Sequence, residues 1–207
     1  MSRGIGGLKM ARDQMIASDE SRLDARSAID RKEKGANLVI EYATAPCFLG
    51  WVIVAVNDKG ICAIEFGDDP SSLPAQVQQR FSKAQLEAGG PELSTIIDSV
   101  VSLIDAPDSD TQLPLDIQGT AFQQRVWNAL RTIRPGQTAS YTQVACKIGS
   151  PESVRAVAQA CAANKLGFVV PCHRVVRSDG SLSGYRWGVE RKRRLLEREG
   201  LASKLNV

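Results

Sequence analysis

Hydrophobic and polar positions along the chain fall into two regimes. From Asn37, short runs of β-forming residues recur, NLVIEYAT, GWVIVAVND and GICAIEFGD, with NDKG between the last two as a tight hairpin turn. They predict a small antiparallel sheet. The period then lengthens: SLPAQVQQRFSKAQL and PELSTIIDSVVSLID read as helices, the second placing Ile96, Ile97, Val100, Val101 and Ile104 on one face. APDSDTQLP at 106–114 is a linker by composition, because Pro, Asp and Ser favour turns, and LPLDI at its end predicts a short strand. Residues 1–36, polar and mixed in charge with GIGG at 4–7, read as a flexible or partly helical extension.

Beyond Gly119 the spacing is helical. TAFQQRVWNALRTI puts Phe122, Val126, Trp127, Leu130 and Ile133 at helical intervals, and RPGQ ends that helix. Ser140 is a good N-cap for SYTQVACKI, Gly149 terminates it, and Ser150 with Pro151 opens ESVRAVAQACAAN. Helix, glycine turn, helix is the outline of a helix-turn-helix, which many helical hairpins share without binding DNA. ERKRRLLERE at 190–199 reads as an exposed helix with i,i+4 ion pairs.

Charge changes the picture. Residues 37–118 hold three Lys/Arg against twelve Asp/Glu, whereas residues 119–207 hold fifteen against five. The split predicts two units with different partners, an acidic α/β unit over 37–113 and a basic unit over 114–207 with the electrostatic footprint of nucleic-acid binding. No apolar run approaches the about 20 residues of a membrane span, and residues 1–7 lack a secretory apolar region, so the expected location is the cytoplasm. Five scattered cysteines, Cys47, Cys62, Cys146, Cys161 and Cys172, fit neither a disulfide framework nor a metal knuckle. They are expected to be reduced thiols, and no metal is expected.

The sole histidine stands beside a cysteine in FVVPCHRVV, residues 168–176. Pro171 makes the local chain extended or turned, and Arg174 adds a cation. A free thiol with a pKa of about 8.5 is mostly protonated at neutral pH, so an imidazole base or a nearby cation would raise its reactive fraction. Neighbours on a strand point to opposite faces. Either the chain turns at Pro-Cys or a water relays the proton between Cys172 and His173.

PCHRV at 171–175 resembles the active-site signature of the O6-alkylguanine-DNA alkyltransferases, the methylated-DNA:protein-cysteine methyltransferases. TAFQQRVWNALRTIRPGQTASYTQVA, VRAVAQACAANK and GSLSGYRWG are similar to the same family, above all to the C-terminal part of its bacterial adaptive-response members, and the likeness covers roughly residues 37–200. It implies an RNase H-like α/β N-terminal domain and a mainly helical, winged helix-turn-helix-like C-terminal domain. The implied activity is irreversible, single-turnover transfer of an alkyl group from O6 of guanine in double-stranded DNA, by a monomer without cofactor.

The resemblance also implies roles. Cys172 would accept the alkyl group, His173 would act through a water as its base, and Glu199 would orient His173. Asn164 would orient the turn carrying Cys172. Tyr141 would protonate the leaving guanine and help turn the target phosphate, while Arg155 would enter the stack in place of the extruded base. Ser140, Ala156 and Arg174 join them on the DNA-binding side. Backbone carbonyls of Cys172 and Val175, with the amide near Arg186, would read the guanine, in a pocket completed by Tyr185, Cys161 and a bulky Trp187 that narrows it against benzyl adducts. Without the resemblance, Asn164 is a helix C-cap, Tyr141 a core aromatic, Arg155 a solvated charge and Glu199 a surface ion-pair partner.

Some family features are not expected here. Residues 1–46 contain no cysteine, so the four-cysteine zinc site of the adaptive-response members, with its phosphotriester repair and transcriptional switching, has no counterpart in them. Two rival functions stay open at this point: a non-catalytic lesion-sensing or regulatory DNA-binding module, which Cys172 argues against, and a cysteine hydrolase using Cys172, His173 and Asn164.

Overall fold

The computed structural model describes residues 38–106 and 113–201, so the expectation for residues 1–36 and most of the linker lie outside the described residues. Three strands form two successive hairpins: β1 (Val39–Cys47), β2 (Gly50–Asn57) and β3 (Gly60–Gly67), each antiparallel to the next. The NDKG turn closes on Gly60, whose φ of +132 and 2.5 Å approach of a would-be Cβ to the Pro114 carbonyl leave room for glycine alone. A bulge at Ala55/Val56 shifts the register there. Every residue of β3 is buried, so this strand has no solvent face.

The first helical stretch is shorter than its pattern suggested. Helix α1 (Leu73–Arg80) stops where Phe81 leaves helical geometry to bury its ring, and Gln85–Ala88 becomes a strand, β4, beside β1. Bonds from Gln85 to the Leu38 carbonyl and from Gly89 to the Tyr42 carbonyl advance in one direction along both chains, so β4 is parallel to β1 and the sheet, of order β3-β2-β1-β4, is mixed. Residues 39–82 and 86–201 form one compact unit, whereas Leu38 and Lys83–Gln85 fall to another. Helix α2 (Pro91–Asp105) buries Leu93, Ile97, Val100 and Ile104.

The outer edge of β3 leads to the site. Ile61 donates to the Pro114 carbonyl at 2.8 Å and accepts from Asp116, while Ile64 donates to the Lys165 carbonyl at 2.8 Å and accepts from Gly167. The LPLDI strand thus reduces to a single bridge at Leu115, and the loop after Asn164 supplies the second. Both cover an edge that would otherwise expose unpaired backbone groups.

The basic half is helical. Helix α3 (Ala121–Arg131) starts with a capping box of Thr120 and Gln123, and Trp127 Nε1 donates to the Ala160 carbonyl at 2.9 Å, pinning α3 to α5 (Val154–Ala162). Helix α4 (Tyr141–Lys147) has its own capping box, Ser140 with Gln143. Gly149, at φ +71, turns the chain into the 3-10 turn Pro151–Ser153 and then α5. A two-residue parallel pair, β5 (Ala139–Ser140) with β6 (Val175–Val176), ties the start of α4 to the segment after the cysteine. The last helix, α6 (Val189–Arg198), buries Lys192, Leu195 and Leu196, so it is not the solvated helix that its charge run suggested; its ion pair among the described residues is Glu190 with Arg193, at i,i+3. No helix among the described residues is long and apolar enough to cross a membrane.

Candidate active site

Of the two routes open for Cys172 and His173, the backbone takes the turn. Pro171 leads into a 3-10 turn over Cys172–Arg174, closed by the Arg174 amide donating to the Pro171 carbonyl at 3.0 Å. The turn is set from behind by Asn164, 1% exposed: its Nδ2 donates to the Val170 carbonyl at 2.9 Å and lies 3.3 Å from Cys172 Sγ, and its Oδ1 accepts from the Leu166 amide at 2.9 Å. One amide therefore joins the end of the α5 loop to the sulfur. Between them Phe168 holds φ at +70, a conformation that costs a non-glycine residue about 1–3 kcal/mol. Its ring stacks on His173 at 5.8 Å.

Cys172 Sγ faces a cavity of about 370 Å³ lined by Tyr141, Ala158, Cys161, Ala162, Gly184, Tyr185 and Arg186. Small side chains on α5 form one wall, and the two tyrosines the others. Burial pushes the Cys172 thiol up to about 11, against the hydrogen bond from Asn164 and the charge of Lys192, which lower it. The sulfur is thus a protonated thiol at neutral pH and needs a base to react. Tyr141 Oη lies 2.7 Å from Ser183 Oγ, and burial raises its pKa.

His173 is fully buried. Its Nε2 lies 3.0 Å from Glu199 Oε1, which also takes hydrogen bonds from Arg174 Nε at 3.0 Å and Nη2 at 2.8 Å. Gly200, at φ +80, ends α6 in the left-handed region, and there Glu199 caps the helix with its side chain turned inward. Burial opposes ionisation of Glu199, but the bonds and charges of His173 and Arg174 outweigh it and bring the pKa down to about 2. Burial lowers the pKa of His173 and keeps it neutral, although Glu199 pulls the other way.

Three predicted positions are corrected. Arg174 is 7% exposed, with its guanidinium on Glu199 and the Ile133 carbonyl, so it is a buried partner of Glu199 and not a DNA contact. Trp187 does not line the cavity; its indole N–H donates to Glu65 Oε2 at 2.7 Å and its ring meets Phe66 and Tyr185, so it stands behind the wall. Val175 is likewise outside the lining, its carbonyl accepting from Lys192 Nζ at 2.6 Å. Cys161, Tyr185 and Arg186 line the cavity as expected positions. Arg155 is exposed on α5 beside half-buried Ala156, and Ser140 borders a polar groove with Thr138, Thr142 and Arg177.

Sequence reasoning missed Lys192, Ser183 and Phe168. Lys192 was hidden in a charge run; its position three residues before Leu195 and four before Leu196 is the signal that it shares their buried face. Among the described residues no cluster of three or more His, Cys, Asp or Glu is placed to hold a metal ion.

With this geometry in place, comparison with known proteins is informative. Residues 40–117 match the 6-O-methylguanine DNA methyltransferase ribonuclease-like domain, and residues 121–201 match the DNA binding domain of the same family. The chain is 53% identical over 165 residues to the bifunctional transcriptional activator/DNA repair enzyme Ada of Escherichia coli, covering 80% of this chain and 47% of that one. It is 40% identical over 151 residues to the inducible methylated-DNA--protein-cysteine methyltransferase of Bacillus subtilis, covering 72% of this chain and 84% of that one. The chain thus spans about half the length of the Ada relatives it matches. The crystal structure of Mycobacterium tuberculosis OGT in complex with DNA is similar with a TM-score of 0.64 at 33% identity, over 80% of this chain and 94% of that one.

Proposed function

The chain belongs to the 6-O-methylguanine DNA methyltransferase family, and from that premise we propose that it repairs DNA by moving an alkyl group, chiefly methyl, from O6 of guanine to its own Cys172 in one irreversible turnover. The observation that carries this reading is the sulfur of Cys172 at the wall of a cavity between two tyrosines, within reach of a helix-turn-helix. A carbon on O6 lies inside the stacked duplex, so the nucleotide must rotate out, at a cost of a few kcal/mol. Arg155, exposed on the second helix of the motif, is the side chain to fill the gap.

Proton traffic then has two ends. A neutral His173, its Nε2 proton held toward Glu199, takes the thiol proton on Nδ1 through a water, and Tyr141 gives a proton to the purine as it leaves. The thioether has no easy hydrolysis, so each chain reacts once. Nucleophile and proton donor both come from this chain, so the reaction asks for no cofactor. Double-stranded DNA is the partner of a monomer, read through the minor groove with slight sequence preference. Division at 113/114 into a ribonuclease-like and a DNA-binding part, and a place in the cytoplasm on the nucleoid, belong to the same proposal.

Incubating excess duplex carrying O6-methylguanine with the protein and counting repaired lesions tests it. One lesion per chain is the expected plateau. Continued turnover would favour a hydrolase, and tight binding without repair a lesion sensor.

A further inference from the structure

Lys192 is a fully buried lysine in a helix of otherwise solvated charges. Its Nζ donates to the Val175 carbonyl at 2.6 Å and to Ser183 Oγ at 2.8 Å, with the Ser183 carbonyl at 3.5 Å. An ammonium has donors and no acceptor, so Ser183 Oγ must accept from it. The hydroxyl proton of Ser183 then has two acceptors in reach: Tyr141 Oη at 2.7 Å, and the Val175 carbonyl at 3.4 Å, already taken by Lys192 at shorter range. Distance and occupancy both send that proton to Tyr141. A phenol that accepts from Ser183 turns its own O–H away from it, and Tyr141 lines the cavity that Cys172 faces.

We propose that Lys192 supplies the leaving-group proton, through Ser183 and then Tyr141, to the departing purine. This rests on the alkyl-transfer reading above. As the sulfur–carbon bond forms and the carbon–O6 bond breaks, the purine takes the Tyr141 proton, Tyr141 takes that of Ser183, and Ser183 takes one from Lys192. The purine leaves neutral, Cys172 ends as a neutral thioether, and Lys192 ends as an amine that solvent later reprotonates. The titratable groups facing Lys192 are Cys161 on α5, Cys172 and His173 in the turn, Arg177 after β6, and Tyr141 through Ser183. Burial brings the ammonium pKa down to about 8, against the pull of the two thiols, so it is a readier donor than a solvated lysine.

The test is single-turnover methyl transfer at saturating duplex by wild type, Ser183→Ala, Lys192→Met, Tyr141→Phe and Ser183→Ala with Tyr141→Phe, with thermal unfolding of each to identify variants that do not fold. Ser183→Ala removes the link while sparing both ends. It is expected to slow transfer by about tenfold or more. The double variant should be no slower than Tyr141→Phe alone, because one path is already cut. A methylated purine with an electron-withdrawing substituent, which needs its proton less, should restore most of the Ser183→Ala rate. A merely structural role would not show that rescue. An unchanged Ser183→Ala rate, additive losses in the double variant, or a loss indifferent to the leaving purine would overturn the relay. Absence of transfer by wild type would instead sink the alkyl-transfer reading.

Discussion

His173 Nε2 lies 3.0 Å from Glu199 Oε1 with both side chains fully buried, and no protein group bonds the other ring nitrogen, Nδ1, among the described residues. Arg174 fixes Glu199 as an anion, so the shared proton belongs on Nε2 and the lone pair on Nδ1. The carboxylate thus decides which nitrogen can act as base.

Glu199→Gln removes that decision, because an amide can donate to Nε2 as readily as accept. Methyl transfer is expected to fall by about 10²–10⁴-fold. Folding stability is expected to fall by about 3–5 kcal/mol, since the buried guanidinium of Arg174 loses its counter-charge. Single-turnover kinetics and urea unfolding check the two effects, and wild-type kinetics would contradict a role for Glu199 in setting the base.

Acid should loosen the fold through the same pair. Both folded pKa values lie below their ordinary ones, 6.5 for His173 and 4.5 for Glu199, so each contributes stability that is present above that value and lost as pH falls toward the folded one. For Glu199 the window runs from 4.5 down to about 2. Urea midpoints measured across pH should therefore drop below 6.5, more steeply in wild type than in Glu199→Gln under pH 4.5.

Asn164→Ala leaves the Leu166 amide and the Val170 carbonyl without this partner in a buried loop, at about 1–3 kcal/mol for each orphaned group. It also removes a donor from the sulfur, so the thiol pKa should rise further. Alkylation of Cys172 by iodoacetamide as a function of pH checks this; an inflection unmoved from wild type would show that Asn164 only braces the loop.

Arg155 and Arg174 should separate cleanly. Arg155→Ala is expected to slow repair in duplex DNA while leaving urea stability and reaction with the free methylated base unchanged, since Arg155 is exposed. Arg174→Ala should destabilise the fold, since its guanidinium is buried on Glu199. Equal stability losses for the two would contradict this division.

Much of this architecture was legible in the residues. The hairpins, α2, both capping boxes and the glycine turn between α4 and α5 are local effects, and local chemistry carried them. What failed was decided by distant partners. Gln85–Ala88 became a strand because β1 had a free edge, and nothing nearby announces that. Trp187 left the cavity for a carboxylate 122 residues away, Glu65 on β3. Arg174 and Lys192 looked like surface charges because a basic run reads as solvated until a buried acceptor is known. Glu199 and Asn164, by contrast, were placed by resemblance, which carries tertiary information that periodicity lacks.

The central claim is that one sulfur takes the methyl group and keeps it. Peptide mass analysis after incubation with duplex bearing an isotopically labelled O6-methylguanine tests this most directly. The account predicts one labelled methyl per chain, confined to the peptide containing Cys172 and absent from Cys172→Ala. Label on another residue, or label released to solvent while Cys172 remains a free thiol, would contradict it.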